Sequence, residues 1–293
     1  MPEAARLSGL LARCSFPAPG TEITCAISGG PDSLALLVLA VEAACRVTAV
    51  HVDHGLRPGS AAEADVVAAV ARHRGAAFRA ERVTVPPGPN LEARARAARY
   101  AVLPPDVLTG HTADDQAETV LVNLLRGSGL DGLAGMRAAG HPLLRIRRSE
   151  TRALCAGLGL TPVEDPTNAS LAHRRYRSRH ELLPLLVAIA DRDVAALLAR
   201  QASSLRDEAD LLDSLARALD PTDARALTAA PAALARRAVR LWLTGGYPPD
   251  AAAVERVLTV ARGEAVACDI GGGRRVERSG QRLRLATATT VPT

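Results

Sequence analysis

The chain has 293 residues, 48% hydrophobic and 23% charged, ordinary globular values that exclude wholesale disorder. Aromatics supply only 2%, so the core has to be built from Ala, Leu and Val. The net charge is +5 and all 36 basic residues are arginine, which excludes every mechanism needing a protein lysine, such as a Walker A loop, a Schiff base or a protein-kinase strand lysine.

Taken in chain order, Ile23 to Ser28 reads as a short buried strand ending in glycines, followed by a helix from Asp32 to Ala44. Arg46 to Val52 is a second strand, and about Ser60 to Arg74 a helix. Phe78 to Val85 is a third strand closed by Pro86-Pro87-Gly88-Pro89, after which Asn90 caps an arginine-rich helix to about Val102. Asp106 to Gly110 is a fourth strand, leading into a helix from Thr112 to Arg126. Strands separated by helices of this length predict an α/β fold, a Rossmann-like parallel sheet with ligands at the carboxyl ends of its strands.

Beyond Pro184 the pattern turns helical. Leu185 to about Leu219 reads as one long helix ended by Asp220-Pro221, Ala232 to Leu243 and Ala251 to Ala261 as shorter ones, and the tail as a small hairpin. The expected organisation is a catalytic domain over 1–183, a linker helix over 184–219 and a small, mostly helical domain over 220–293. The longest apolar stretch, Leu34 to Val50, is interrupted by Glu42 and Arg46, so no membrane span is expected. Glu3 and the lack of an uninterrupted apolar segment argue against a secretory signal. Cys14, Cys25, Cys45, Cys155 and Cys268 form no C-x-x-C pair, which argues against disulfide, zinc-ribbon and iron–sulfur frameworks and makes the cytoplasm the expected address.

Charge is unevenly placed. Arginines 145, 147, 148, 152, 174, 175, 177 and 179 face only Glu150, Glu164 and Asp165, whereas acids predominate from Glu181 to Asp220. A basic belt of this kind suits a polyanionic partner.

The sharpest segment is Ser28-Gly29-Gly30-Pro31-Asp32-Ser33, between the first strand and helix. Its glycines let the backbone curl and approach a ligand, and Pro31 fits the first helical position. The first-turn N–H groups, with the Ser28 and Ser33 hydroxyls, make an anion cradle. Asp32 would repel a bare phosphate and reads as a ligand for phosphate-bound Mg²⁺. Farther on, Asp114, Asp115 and Glu118 stand three and four apart, a spacing at which like charges destabilise an isolated helix by a few tenths of a kcal/mol. No basic residue three or four places away relieves them, so a cationic ligand is expected there.

Ser-Gly-Gly-x-Asp-Ser resembles the pyrophosphate loop of the N-type ATP pyrophosphatases, which split ATP between its α- and β-phosphates and adenylate a substrate. Further segments resemble one branch of that superfamily, the tRNA(Ile)-lysidine synthetases. These are His51-Val52-Asp53-His54-Gly55-Leu56-Arg57, Ala95-Arg96-Ala97-Ala98-Arg99-Tyr100, His111-Thr112-Ala113-Asp114-Asp115-Gln116-Ala117-Glu118-Thr119, and Arg126-Gly127-Ser128-Gly129 with Gly132, Gly135 and Met136. Glu164-Asp165-Pro166-Thr167-Asn168 and the segment from Arg175 to Pro184 also match, except that Tyr176 stands where Asn is usual.

The resemblance spans roughly residues 23 to 183 and implies ATP and Mg²⁺ as cofactors, with free L-lysine and a CAU-anticodon tRNA(Ile) as partners. It implies pyrophosphate release into the 28–33 loop, lysine held by Asp115 and Glu118, and a general base that is either a carboxylate or His111. Asp53, His54, Arg57, Arg96, Arg99, Arg126, Arg175, Arg177 and Arg179 are the residues it places on tRNA or nucleotide. The helical tail is expected on the tRNA acceptor arm or elbow, and analogy alone points to a homodimer. The nearest rival is a tRNA 2-thiocytidine synthase, which would carry C-x-x-C pairs that this chain lacks. A GMP or NAD synthetase explains neither the basic belt nor the tail, and a non-catalytic nucleotide sensor has no need of the acidic trio.

Overall fold

The computed structural model describes residues 3–55, 61–89, 91–163, 174–245 and 249–287. Arg57, Asn90 and the segment 164–168 lie outside them. Two compact units make up the chain, Met1–Arg206 and Asp207–Thr293.

In the first unit, α1 (Glu3–Leu11) precedes β1 (Glu22–Ala26), α2 (Pro31–Glu42), β2 (Arg46–Asp53), α3 (Ala61–His73), β3 (Ala77–Arg82), α4 (Leu91–Ala101) and β4 (Leu108–Thr109). The strands form a parallel sheet in the order β3-β2-β1-β4. Cys25 of β1 pairs with Ala49 on one side and Leu108 on the other. The chain therefore leaves β1 in one direction and returns for β4 on the opposite side, which opens a crevice at the carboxyl ends of these two strands. Helix α2 is buried from Ser33 through Ala40, with no exposed surface on Leu34 to Ala40. A helix apolar on all sides belongs inside a core, and this one anchors the loop that precedes it.

Past β4 come α5 (Ala113–Leu124), α6 (Leu130–Leu133) and α7 (Arg148–Gly157). Helices α1 and α7 are not foreseen by the sequence; in α7 only Thr151, Leu154 and Cys155 are buried, too few to set a periodic apolar pattern. Strand β4 is two residues long, shorter than the 106–110 expected, because it pairs only at Leu108 and Thr109.

The long helix expected from 185 to 219 is broken. After α8 (Arg174–Arg177) and a π-helical turn (Ser178–Leu182), α9 (Leu183–Ala190) stops at Asp191 in the left-handed conformation, φ 48°. Aspartate tolerates that conformation better than most residues. Helix α10 (Val194–Arg217) restarts with the Asp193 carboxylate accepting from the Ala196 N–H at 3.2 Å. Leu183, Val194 and Ala195 pack with Ala117 and Leu121 of α5, so the chain just beyond residue 183 is part of the first unit, and the division falls inside α10.

The second unit contains α11 (Ala224–Ala229), α12 (Ala232–Leu243), α13 (Ala251–Arg262) and an antiparallel sheet of β5 (Ala267–Gly271), β6 (Arg274–Ser279) and β7 (Arg282–Thr287). The tail is thus a three-stranded meander rather than a hairpin. Strand β6 reads as polar in sequence because Val276 alone is buried in it. Leu227, Val239, Leu243, Val257, Val260, Val276 and Leu283 form the core of this unit, with Trp242 packed against it. No helix among the described residues is long and apolar enough to cross a membrane.

Candidate active site

The bend after β1 and the segment after β4 meet in the crevice. Gly29 has φ +87°, a conformation that favours glycine, and its carbonyl accepts from the Val163 N–H at 3.0 Å. The Ser33 hydroxyl donates to the Gly30 carbonyl at 2.9 Å and lies 3.2 Å from the Ser28 hydroxyl. Gly110 serves close approach: a Cβ there would stand 2.6 Å from the backbone oxygen of Asp32. Only glycine lets the segment leaving β4 lie against the first turn of α2.

That contact brings the acidic helix α5 to the glycine bend. Arg148, the first residue of α7, joins the two. Its guanidinium reaches Asp32 at 3.4 Å, Asp115 at 2.8 Å and Glu118 at 3.2 Å. Its backbone N–H donates to Asp114 at 2.8 Å, and Arg147 grips the same carboxylate at 2.8 and 3.1 Å. Arg175 donates to Glu118 at 3.0 Å and Asp115 at 3.3 Å, and Arg179 makes two bonds to Glu118, at 2.6 and 3.1 Å. Glu118 has no exposed surface. The acidic trio is therefore already relieved by arginines 30 to 64 positions away in sequence, where the local spacing led to the expectation of a cationic ligand.

Asp115 is oriented from its other oxygen, which accepts from both the backbone N–H and the hydroxyl of Thr112 at 2.8 Å in a capping box. Burial works to raise its carboxyl, but the Arg148 and Arg175 charges outweigh burial and hold it below the usual carboxylate range. Asp32 moves the other way. Burial dominates there, and the carboxyl is pushed up despite a hydrogen bond from Thr151 and the nearby Arg148.

His111 lies two residues past the end of β4. Its Nδ1 lies 2.6 Å from the Thr109 hydroxyl, and His141 Nδ1 lies 2.6 Å from the same oxygen, with the two rings edge to face at 4.7 Å. Burial drives His111 down to about 3, against the pull of Asp115, so it is neutral at physiological pH. His141, which spacing alone assigns to the surface or a loop, is a half-buried partner of His111. Sequence reasoning also missed Arg147, Arg148 and Thr151, since no local signal marks the two arginines as facing α5 or Thr151 as facing Asp32 of α2.

The remaining candidates divide. Arg175 and Arg179, four apart, face the carboxylates, while Arg177 between them is exposed and pairs with Glu181 at 2.8 Å. The Tyr176 ring lies 4.2 Å from that of His180. Arg96 and Arg99 flank the Tyr100 ring at 4.7 and 5.3 Å. The Asp53 carboxylate accepts from the Gly55 N–H at 2.8 Å. His54 Nδ1 is buried without a hydrogen-bond partner, and burial together with Arg99 lowers the pKa of that ring. Arg126 is exposed just beyond α5.

Residues 4–186 match the family model described as the PP-loop domain. The chain is 47% identical over 280 residues to the tRNA(Ile)-lysidine synthase of Nocardia farcinica, with 88% of each chain covered. It is 45% identical over 274 residues to that of Mycolicibacterium paratuberculosis, covering 85% of each. Among solved structures, the U34-tRNA thiolase NcsA from Methanococcus maripaludis with its [4Fe-4S] cluster shares the fold, at a TM-score of 0.55 and 18% identity over 69% of this chain and 78% of that one. The glycine bend lies within the matched PP-loop domain, and identity of this order along most of its length makes the chain a member of the tRNA(Ile)-lysidine synthase family.

Proposed function

We propose that this protein uses ATP to ligate free L-lysine to the wobble cytidine of a CAU-anticodon tRNA(Ile), through an adenylated cytidine. The observation that carries this reading is Arg148. It ties Asp32 of the loop to Asp115 and Glu118, so the group that meets the departing pyrophosphate and the groups meant for lysine share one guanidinium.

In the first step the cytosine carbonyl oxygen attacks the α-phosphorus, and pyrophosphate leaves toward the 28–33 loop. Backbone N–H groups at the start of α2 favour that anion. Asp32 is the residue that would hold a phosphate-bound Mg²⁺, which supplies charge neutralisation; Mg²⁺ is commonly taken by one or two carboxylates and substrate phosphates rather than a full protein cage. No group of three or more His, Cys, Asp or Glu among the described residues is arranged to hold a metal by itself. In the second step an amine of lysine attacks the ring carbon, and AMP departs with the former carbonyl oxygen.

Lysine enters a site already balanced, with Asp32, Asp114, Asp115 and Glu118 facing Arg147, Arg148, Arg175 and Arg179. Interleaved carboxylates and guanidiniums suit a zwitterion, whose ammonium and carboxylate ends both need partners. Exposed Arg96, Arg126 and Arg177 remain for phosphate contacts with tRNA. A sulfur-transfer reading fits less well. Burial pushes the Cys14 and Cys25 thiols up to about 12 and Cys155 to about 11, which suppresses the thiolates such chemistry requires.

The test mixes the protein with ATP, Mg²⁺, labelled lysine and a tRNA(Ile) transcript. Label fixed at the wobble nucleotide, and lost with Asp32→Ala, is the expected result. Sulfur incorporation in its place, given a sulfur donor, would sink the proposal.

A further inference from the structure

The Thr109 hydroxyl has one proton and two imidazoles at 2.6 Å. The Gly140 carbonyl, at 3.5 Å, is too distant to compete for that proton. One ring must therefore accept from the hydroxyl through Nδ1 and the other must donate to it through Nδ1–H. Each Nδ1 is committed, which leaves Nε2 as the working atom of each ring. The pair stands beside charges of both signs: Asp115, Arg96 and Arg175 act on His111, and Asp115 and Arg96 on His141.

We propose that Thr109 and His141 are positioning residues that hold His111 with Nδ1 protonated and Nε2 free, and that the three side chains relay away the proton lost by the attacking amine. This rests on the lysine-ligation reading above. As the amine nitrogen bonds to the ring carbon and the carbon–oxygen bond to AMP breaks, the bonding pair leaves with AMP. The surplus proton on nitrogen passes to His111 Nε2. The His111 Nδ1 proton moves to the Thr109 oxygen, whose own proton moves to His141 Nδ1. His141 then releases its Nε2 proton to solvent. After the products leave, His141 Nε2 takes up a proton from solvent, the reverse shift follows and His111 Nε2 gives its own proton to solvent, so each turnover exports one proton. A neutral His111 is the form that can accept a proton at physiological pH.

Two measurements test this, one independent of the reaction. Long-range ¹H–¹⁵N correlation on ring-labelled protein should find one imidazole protonated at Nδ1 and the other at Nε2, with that asymmetry abolished in Thr109→Val. Both rings in the same tautomer in the wild-type protein would overturn the proposal. The second compares tRNA-dependent ATP–pyrophosphate exchange with lysine transfer in single turnover. Thr109→Val and His141→Gln should lower transfer about 10- to 100-fold, at least tenfold more than exchange, and change the pH profile of transfer, with Thr109→Ser restoring it. Equal losses in both half-reactions, or an unchanged pH profile, would assign the pair a merely structural role. A wild-type protein that shows the mixed tautomers and exchanges pyrophosphate but transfers no lysine would instead defeat the lysine reading and leave the hydrogen-bonded wiring standing.

Discussion

The two units use the same arginines and carboxylates to opposite ends. In the first, Glu118 is fully buried under three guanidiniums and Asp115 is nearly so. In the second, most ion pairs lie on the surface, as in Arg236–Glu255, where each side chain is about half exposed; Arg237–Asp213 is a buried exception beside a largely aliphatic core. Buried pairs carry a desolvation penalty that is recovered only by good geometry, and breaking one strands a charge. Surface pairs are screened and contribute little. The densest cluster of buried charge among the described residues lies beside the glycine bend, and charge buried at that density points to chemistry.

The strongest way to break the contrast is Glu118→Ala. With three guanidiniums left facing an apolar methyl, it should lower unfolding free energy by about 3–5 kcal/mol and eliminate lysine transfer, read by urea titration and label incorporation. Arg148→Met should leave Asp32, Asp115 and Glu118 without their shared cation. Pyrophosphate exchange is expected to fall on the order of 100-fold, the scale of losing one preorganised charge partner, whereas an effect on transfer alone would mean that Arg148 serves only the lysine side. Gly110→Ala tests the seam between bend and helix: relief of a 2.6 Å contact with backbone requires the loop to shift, at about 1–3 kcal/mol, with exchange reduced as well. At the small end, Arg236→Ala in the second unit should change stability by no more than about 0.5 kcal/mol.

pH sharpens the contrast further. The folded values of Asp114 and Asp115 lie below the unfolded ones, so their stabilisation is complete above the ordinary carboxylate range and drains away as pH falls through the folded values. Asp32 has the opposite sign. Its folded value lies above the unfolded one, so the stabilisation it gives in acid is lost as pH rises through the folded value. Asp32→Asn should therefore raise the thermal midpoint at neutral pH while abolishing exchange, a trade of stability for function. A lowered midpoint would show that the Thr151 and Arg148 contacts outweigh burial.

The site was partly legible in the chain. The loop, the acidic trio and Arg175 and Arg179 could be named because each lies in a short contiguous motif, and the structure brings them together. Arg148 and His141 could not, since their significance depends on which segments become neighbours rather than on local spacing. The extended helix over 185–219 was misread for a related reason: its apolar pattern runs through Asp191, and only the packing of α9 and α10 on α5 selects the left-handed break there.

What the sequence determined by itself was the alternation of strands and helices, the glycine bend and the chemical types present, because backbone sterics and hydrophobic periodicity act over a few residues. Which charge meets which was decided by the tertiary structure alone. Coulomb energy in a buried site depends on distance and desolvation, and both are set only when β4 inserts beside β1 and α7, packed on α2, brings Arg147 and Arg148 to the carboxylates of α5.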